Sequence, residues 1–167
     1  MIEIRKAAAR PDFEAVHQLI SLLAAWDVEK TGDMGLPTDD VVTRYYADGV
    51  DVLAEKYSTQ RTPFLVGHLE GQPVACGALF DAGEDVAEIH KMFVRPDCRG
   101  KGVAKAMMGG LIEEATNNGY RHLRLETATF MTAAIQLYRA YGFIYCQPFN
   151  AVPPGLRAIT IFMERQL

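Results

Sequence analysis

Arg99-Gly100-Lys101-Gly102-Val103-Ala104 is the segment whose composition could do chemistry by itself. An apolar strand, Val86 to Val94, runs toward it and a helix opens within it. The first turn of a helix has unpaired N–H groups and a partial positive charge, so it attracts anions. Gly100 and Gly102 allow close backbone approach and conformations closed to other residues. Arg99 and Lys101 add charge, and the chemistry implied is the cradling of a phosphate or pyrophosphate. The Walker pattern GxxxxGK(S/T) is absent, and a GxGxxG pattern beginning at Gly100 fails because its third position is Lys105. On the strand before the loop, Glu88 and His90 lie two residues apart and should share one face. Burying that polar pair on an inner strand is costly without a purpose, the plain alternative being an ion pair with a nearby Lys or Arg.

The elements around these residues read as a mixed α+β domain. Ile2 to Arg5 alternates like a strand. A helix opens at Pro11 and Asp12, shows an apolar face of Phe13, Val16, Ile20 and Leu23, and is expected to close near Trp26. Lys30 to Leu36 reads as a loop broken by Gly32 and Gly35, and a second helix should run from Pro37 toward Lys56. Strands at 63–69, 74–80 and 86–94, joined by short turns, imply an antiparallel meander. Val103, Met107, Leu111 and Ala115 mark a helix from Gly102 to Asn118, capped by Gly119. Gly109 and Gly110 inside it each cost about 1 kcal/mol relative to Ala, and close packing on a strand would explain them. A strand at 122–127, a helix from Met131 to Tyr141 and strands at 143–146 and 158–163 complete the chain. The strand–helix–strand unit favours one parallel pairing.

The chain has 167 residues, 49% hydrophobic and 23% charged. It should form one domain over 1–167 with a sizeable core. Its net charge of −4 and lack of a basic stripe disfavour a nucleic-acid partner. No stretch approaches a membrane span, and the N-terminus lacks the apolar core of a secretory signal. Three cysteines without CxxC spacing argue against a disulfide framework or zinc site, and fit free thiols in a cytoplasmic protein. His17, His68 and His122 show no metal spacing. Cys98 stands beside Arg99 without an evident base partner.

Arg99 to Ala104 resembles the R/Q-x-x-G-x-G/A signature of the GNAT acetyltransferases, and Met92-Phe93-Val94-Arg95-Pro96 resembles the strand leading into it. Ala134 to Phe143 is similar to the family's AixLYxxxGF helix and strand start, and Ile161 to Leu167 to its last strand. The resemblance follows family order along the whole chain. It implies a mixed sheet of six or seven strands, largely antiparallel with a splayed central parallel pair, flanked by about four helices. It also implies direct transfer of an acetyl group from acetyl-CoA to an amine, without a metal. Met92, Phe93 and Val94 would face pantetheine and thioester, with the Val94 N–H polarising the thioester carbonyl. The amides of Arg99, Gly100, Lys101, Gly102, Val103, Ala104 and Lys105 would hold the pyrophosphate.

By the same resemblance Tyr138 is the candidate acid toward the CoA sulfur and Glu88 the candidate base. His90 is the alternative base on its residue type alone, since imidazole is the side chain suited to proton transfer near neutral pH. Met131 stands where many members carry a cofactor-contacting Asn, a contact Thr129 or Thr132 would have to replace. The region from Trp26 to Tyr57 corresponds to the acceptor wall, where Tyr45, Tyr46, Asp33, Asp39 and Asp40 would suit a cationic amine and would equally suit an ordinary amphipathic helix. Glu126 ends a strand beside the expected cleft and could bind an amine, although a surface carboxylate is the commoner fate of such a residue. The acceptor is expected to be a small amine; a protein lysine or N-terminus, or an acyl-CoA-binding role without turnover, are the alternatives. A homodimer through the last strands is compatible with the family.

Overall fold

A computed structural model of the protein describes residues 1–167. Seven strands form one sheet in the order β1-β2-β3-β4-β5-β7-β6. They are β1 (Ile2–Lys6), β2 (Phe64–Leu69), β3 (Gln72–Asp81), β4 (Val86–Val94), β5 (His122–Ala128), β6 (Ile144–Tyr145) and β7 (Thr160–Gln166). The helices are α1 (Arg10–Asp33), α2 (Thr38–Val41), α3 (Val50–Lys56), α4 (Val103–Asn117) and α5 (Thr132–Ala140). All pairings are antiparallel except β4 with β5, which is the pair joined through α4.

Two apolar cores cover the sheet. α4 lays Val103, Met107, Leu111 and Ala115 against Leu65, Leu79, Ala87 and Ile89, and α5 adds Ile135 and Tyr138. α1 and α3 pack Phe13, Val16, Ile20 and Leu53 against Phe64, Val66, Ala78 and Phe93. The two glycines of α4 have different reasons. A Cβ on Gly110 would lie 3.1 Å from Ile4 Cγ2 and 3.4 Å from Leu65 Cδ1, so this glycine lets the helix approach β1 and β2. A Cβ on Gly109 would meet nothing within 4 Å. Gly109→Ala is therefore expected to stabilise the protein by up to about 1 kcal/mol. Gly110→Leu should destabilise it by about 1–3 kcal/mol through overpacking. Urea unfolding of both variants checks the contrast.

Three sequence expectations need correction. α1 continues seven residues beyond Trp26 and absorbs Gly32, because Asp27 and Thr31 occupy its buried face and hydrogen-bond to each other at 3.3 Å. The buried stripe persists there in polar residues, so apolar periodicity ends before the helix does. The expected single helix from Pro37 to Lys56 is broken into α2, a wide π turn at Val42–Tyr46 and α3, with Ala47 to Gly49 between them. Such π turns gather at functional sites. Finally, β4 does not keep one alternation. Lys91 has φ of 54°, and the register against β3 shifts between Cys76 and Ala78, so a bulge reverses the facing of the residues beyond it. Phe93, which unbroken alternation would set beside Ala87 and Ile89, turns its ring into the α1-side core, while Met92 packs on the α4 side.

Candidate active site

Pairing of β4 with β5 is limited to Val86, Ala87 and Glu88 against His122, Leu123 and Arg124. Beyond Glu88 the two strands separate, which leaves the β5-facing edge of β4 open. The N–H of Arg95 donates to Val74 O at 2.9 Å, which makes Val94 and Ala75 a non-hydrogen-bonded pair. Val94 therefore points its own N–H and C=O away from β3, into the opening. Arg99 Nε reaches back to that carbonyl at 3.4 Å.

The loop after β4 folds as its composition requires. Pro96–Cys98 makes a short 3₁₀ turn, Gly100 and Gly102 take left-handed φ of 76° and 84°, and Gly102 begins α4 with no side-chain cap. The first amides of α4 are thus left to an outside acceptor. Nothing lies within 4 Å of a Cβ placed on Gly100. Arg99, Lys101 and Lys105 are exposed, and Val103 anchors the helix start in the core. Bare amides, a left-handed glycine pair and three flanking cations fit a pyrophosphate, and the adjoining open strand edge fits an extended amide-bearing arm such as pantetheine.

A cavity of about 530 Å³ opens where the strands part. Tyr138 and Met131 of the α5 region line it together with Leu23 and Tyr57 from the α1-side core, so the splay joins the two faces of the sheet. Glu88 and His90 share this wall, as their spacing predicts. Glu88 is 6% exposed. Its Oε1 accepts from Arg124 at 2.7 and 3.0 Å, and its Oε2 lies 3.0 Å from His90 Nε2 and 3.4 Å from Asn150 Nδ2. Burial works against its charge, but hydrogen bonds from His90 and Arg124 prevail and hold the carboxyl down at about 2. The other imidazole nitrogen, Nδ1, lies 2.9 Å from the Tyr57 hydroxyl. With Glu88 ionised, Nε2 carries the proton and Nδ1 accepts from Tyr57. Phe80 stacks on the ring at 5.0 Å.

Tyr138 is buried between α5 and the sheet, with Phe143 at 5.9 Å. Its hydroxyl borders the cavity without a hydrogen-bond partner from the chain, and burial pushes its pKa up to about 12. Met131, expected at the start of this helix, caps nothing; its sulfur receives the Thr127 hydroxyl at 3.4 Å.

Glu126 is a cavity residue, not the surface carboxylate its position suggests. It binds Arg44 at 2.8 Å, the Tyr45 hydroxyl at 2.8 Å and Asn150 at 2.9 Å. Tyr45 and Tyr46 form part of the wall, as expected; Asp33, Asp39 and Asp40 do not. Asp27 and Asp48 supply the acidic groups there instead. Composition alone does not single out Arg44, Tyr57, Lys91, Arg124 or Asn150, because the fold assembles them from five separate segments. Cys98 is buried, and His68 is taken up by Arg5 at 2.8 Å.

The sequence profile of the Acetyltransferase (GNAT) family matches residues 34–143. The chain belongs to this family. It is 35% identical over 105 residues to an IAA acetyltransferase of Azospirillum brasilense, a match covering 62% of this chain and 67% of that one. It is 29% identical over 162 residues to streptothricin acetyltransferase of Streptomyces lavendulae, covering 89% and 85%. A GNAT-family acetyltransferase from Staphylococcus aureus Mu50 shares the fold with a TM-score of 0.77 over 99% of both chains, at 16% identity. The protein is thus a GNAT acyltransferase enzyme with a seven-stranded sheet. No helix is long and apolar enough to cross a membrane.

Proposed function

We propose that the whole chain, 1–167, is one N-acetyltransferase domain that moves an acetyl group from acetyl-CoA to the primary amine of a small molecule. The observation that carries this reading is the cavity at the β4–β5 splay, which brings Met92 on the open β4 edge, Tyr138 and the Glu88–His90 pair to one place. Bound acetyl-CoA supplies an acyl thioester activated toward amines. The amides from Arg99 to Lys105 hold its pyrophosphate, and Met92 and Val94 border its arm, whereas Phe93 takes part only through the core behind them. The Val94 N–H donates to the thioester oxygen, where negative charge develops during attack.

An alkylammonium has a pKa of about 10.4 and must lose a proton before it attacks. Glu88, held at about 2, is a poor lone base at neutral pH. It acts as half of a pair: the carboxylate fixes His90 and stabilises an imidazolium, while Nδ1 accepts the amine's proton through the Tyr57 hydroxyl. Tyr138 stays protonated throughout the physiological range and can deliver its proton to the departing sulfur. The protein works in the cytoplasm, where acetyl-CoA is made available.

A small acceptor is supported by the walled cavity, whose Arg44–Glu126–Asn150 cluster joins three distant segments. Relatives named for streptothricin and IAA point the same way. The test is CoA thiol release from acetyl-CoA across amines, amino acids, polyamines and lysine peptides, with the acetylated product identified by mass. Release with one small-amine class supports the proposal; release only with peptides moves the acceptor to protein; cofactor binding without release for any amine defeats the transferase reading. Gly102→Ala probes the cradle. A side chain at φ of 84° costs about 1–2 kcal/mol, and the loop can escape that strain only by leaving the anion-binding conformation. Calorimetry should show acetyl-CoA affinity reduced about tenfold or more.

A further inference from the structure

The cavity holds one cation that the transfer reading leaves without a task. In a regular strand Lys91 would point to the opposite face from His90. Its left-handed φ of 54° instead places Glu88, His90 and Lys91 in the same cavity wall. A non-glycine residue in that conformation is strained, and such strain collects at functional positions. The Lys91 ammonium donates to the Tyr45 carbonyl and lies 6.0 Å from the centre of the Tyr46 ring. It has no carboxylate within 4.0 Å, unlike the other basic side chains of the wall.

Those other charges are already matched. Arg44 binds Glu126 at 2.8 Å, Lys56 binds Asp48 at 2.8 Å, and Glu88 holds Arg124 at 2.7 Å. Asp27 takes the hydroxyls of Tyr46 at 2.6 Å and Thr31 at 3.3 Å, and burial raises its pKa toward the neutral form. An ammonium has three donors, and Lys91 spends one on Tyr45. Burial likewise lowers the Lys91 pKa and outweighs the attraction of Asp48, which is not in contact with it and is taken up by Lys56.

We infer that Lys91 anchors a carboxylate on the acceptor, so that the acetylated molecule is an amino acid, bound as a zwitterion with its amine beside the Tyr57 hydroxyl that leads to His90. This rests on the proposed transfer reading for the role of the amine. The bulge explains the geometry: it turns Lys91 into the wall that also carries His90, so one small molecule can present its carboxylate to the ammonium and its amine to the proton relay. A simple cationic amine would enter a cavity that already contains an unmatched positive charge, and would be repelled by it.

The experiment compares L-amino acids with their α-carboxamides, which keep the amine and side chain but lose the anion. Binding is read by calorimetry and transfer by CoA release, for the wild type and for Lys91→Met. In the wild type the acids should exceed their amides by about tenfold or more in kcat/KM and in affinity, as a charge-assisted hydrogen bond implies. In Lys91→Met the acids should fall to the level of their amides while the KM for acetyl-CoA stays put. Amides equal to or better than acids in the wild type would overturn the inference without any variant, whether or not Lys91→Met folds. So would an acid preference that survives in Lys91→Met, or a failure of every acid to bind. Turnover of amides or simple amines but not acids sinks the anchor and leaves the transferase; acid binding without CoA release does the reverse.

Discussion

Arg124→Met is expected to lower the unfolding free energy by about 3–5 kcal/mol, because it leaves a buried carboxylate without its main partner. Glu88 is 6% exposed and accepts two hydrogen bonds from that guanidinium. Arg124 also stacks on Phe149 at 4.2 Å, which ties the segment carrying Asn150 to β5. Its loss should therefore loosen the cavity wall as well as the sheet. The double variant Arg124→Met/Glu88→Gln should recover part of the stability, since no buried charge remains unmatched. Urea unfolding of the two single variants and the double one measures that coupling.

The acid limb of stability reports on the same group. The folded-state pKa of Glu88 is depressed from 4.5 to about 2. Its contribution is complete above pH 4.5 and is lost as pH falls from there toward 2. A shift of that size corresponds to about 3 kcal/mol. Glu88→Gln should flatten this part of the stability–pH curve, and an unchanged acid limb would show that the carboxylate is not held as the geometry requires.

The sequence reveals the parts of the fold that follow local rules. The pattern from Val86 to Asn118 reads as strand, glycine loop and helix because alternation, left-handed glycines and a 3.6-residue period each leave a local mark. The parallel β4–β5 pairing follows from that unit. The site is legible where it depends on those elements: the Gly100–Gly102 cradle, the Glu88–His90 spacing and Tyr138 on its helix. It is illegible where polar residues take buried positions or where one backbone angle decides the facing. Asp27 and Thr31 end the apolar stripe of α1 but not the helix. Lys91 adopts a conformation that nothing in its side chain announces, and every residue after it changes face. Glu126 looks like a surface carboxylate until Arg44 and Asn150, from remote segments, enclose it. These are long-range pairings, and no local period encodes them.

Tyr138 offers the sharpest division between structure and chemistry. Its ring is part of the α5-side core, yet its hydroxyl finds no partner in the chain and faces the cavity. Tyr138→Phe keeps the ring and removes only that proton donor, so stability should change by less than about 1 kcal/mol. If the hydroxyl protonates the departing sulfur, kcat should fall by about 10²-fold or more, the usual range for a positioned general acid. The KM for acetyl-CoA should move little, because the cradle and the open β4 edge are untouched. A leaving group that does not need the proton gives a diagnostic contrast: an acyl donor whose thiol is more acidic than that of CoA should lose much less rate in the variant. Burial holds the phenol near 12, so the wild type should show no loss of activity traceable to this group between pH 7 and 10. Unchanged turnover of acetyl-CoA by Tyr138→Phe would return Tyr138 to the core and leave the sulfur to depart as thiolate, stabilised by the cavity's cations. An equal loss for both donors would instead mean that the hydroxyl positions the thioester rather than protonating its sulfur.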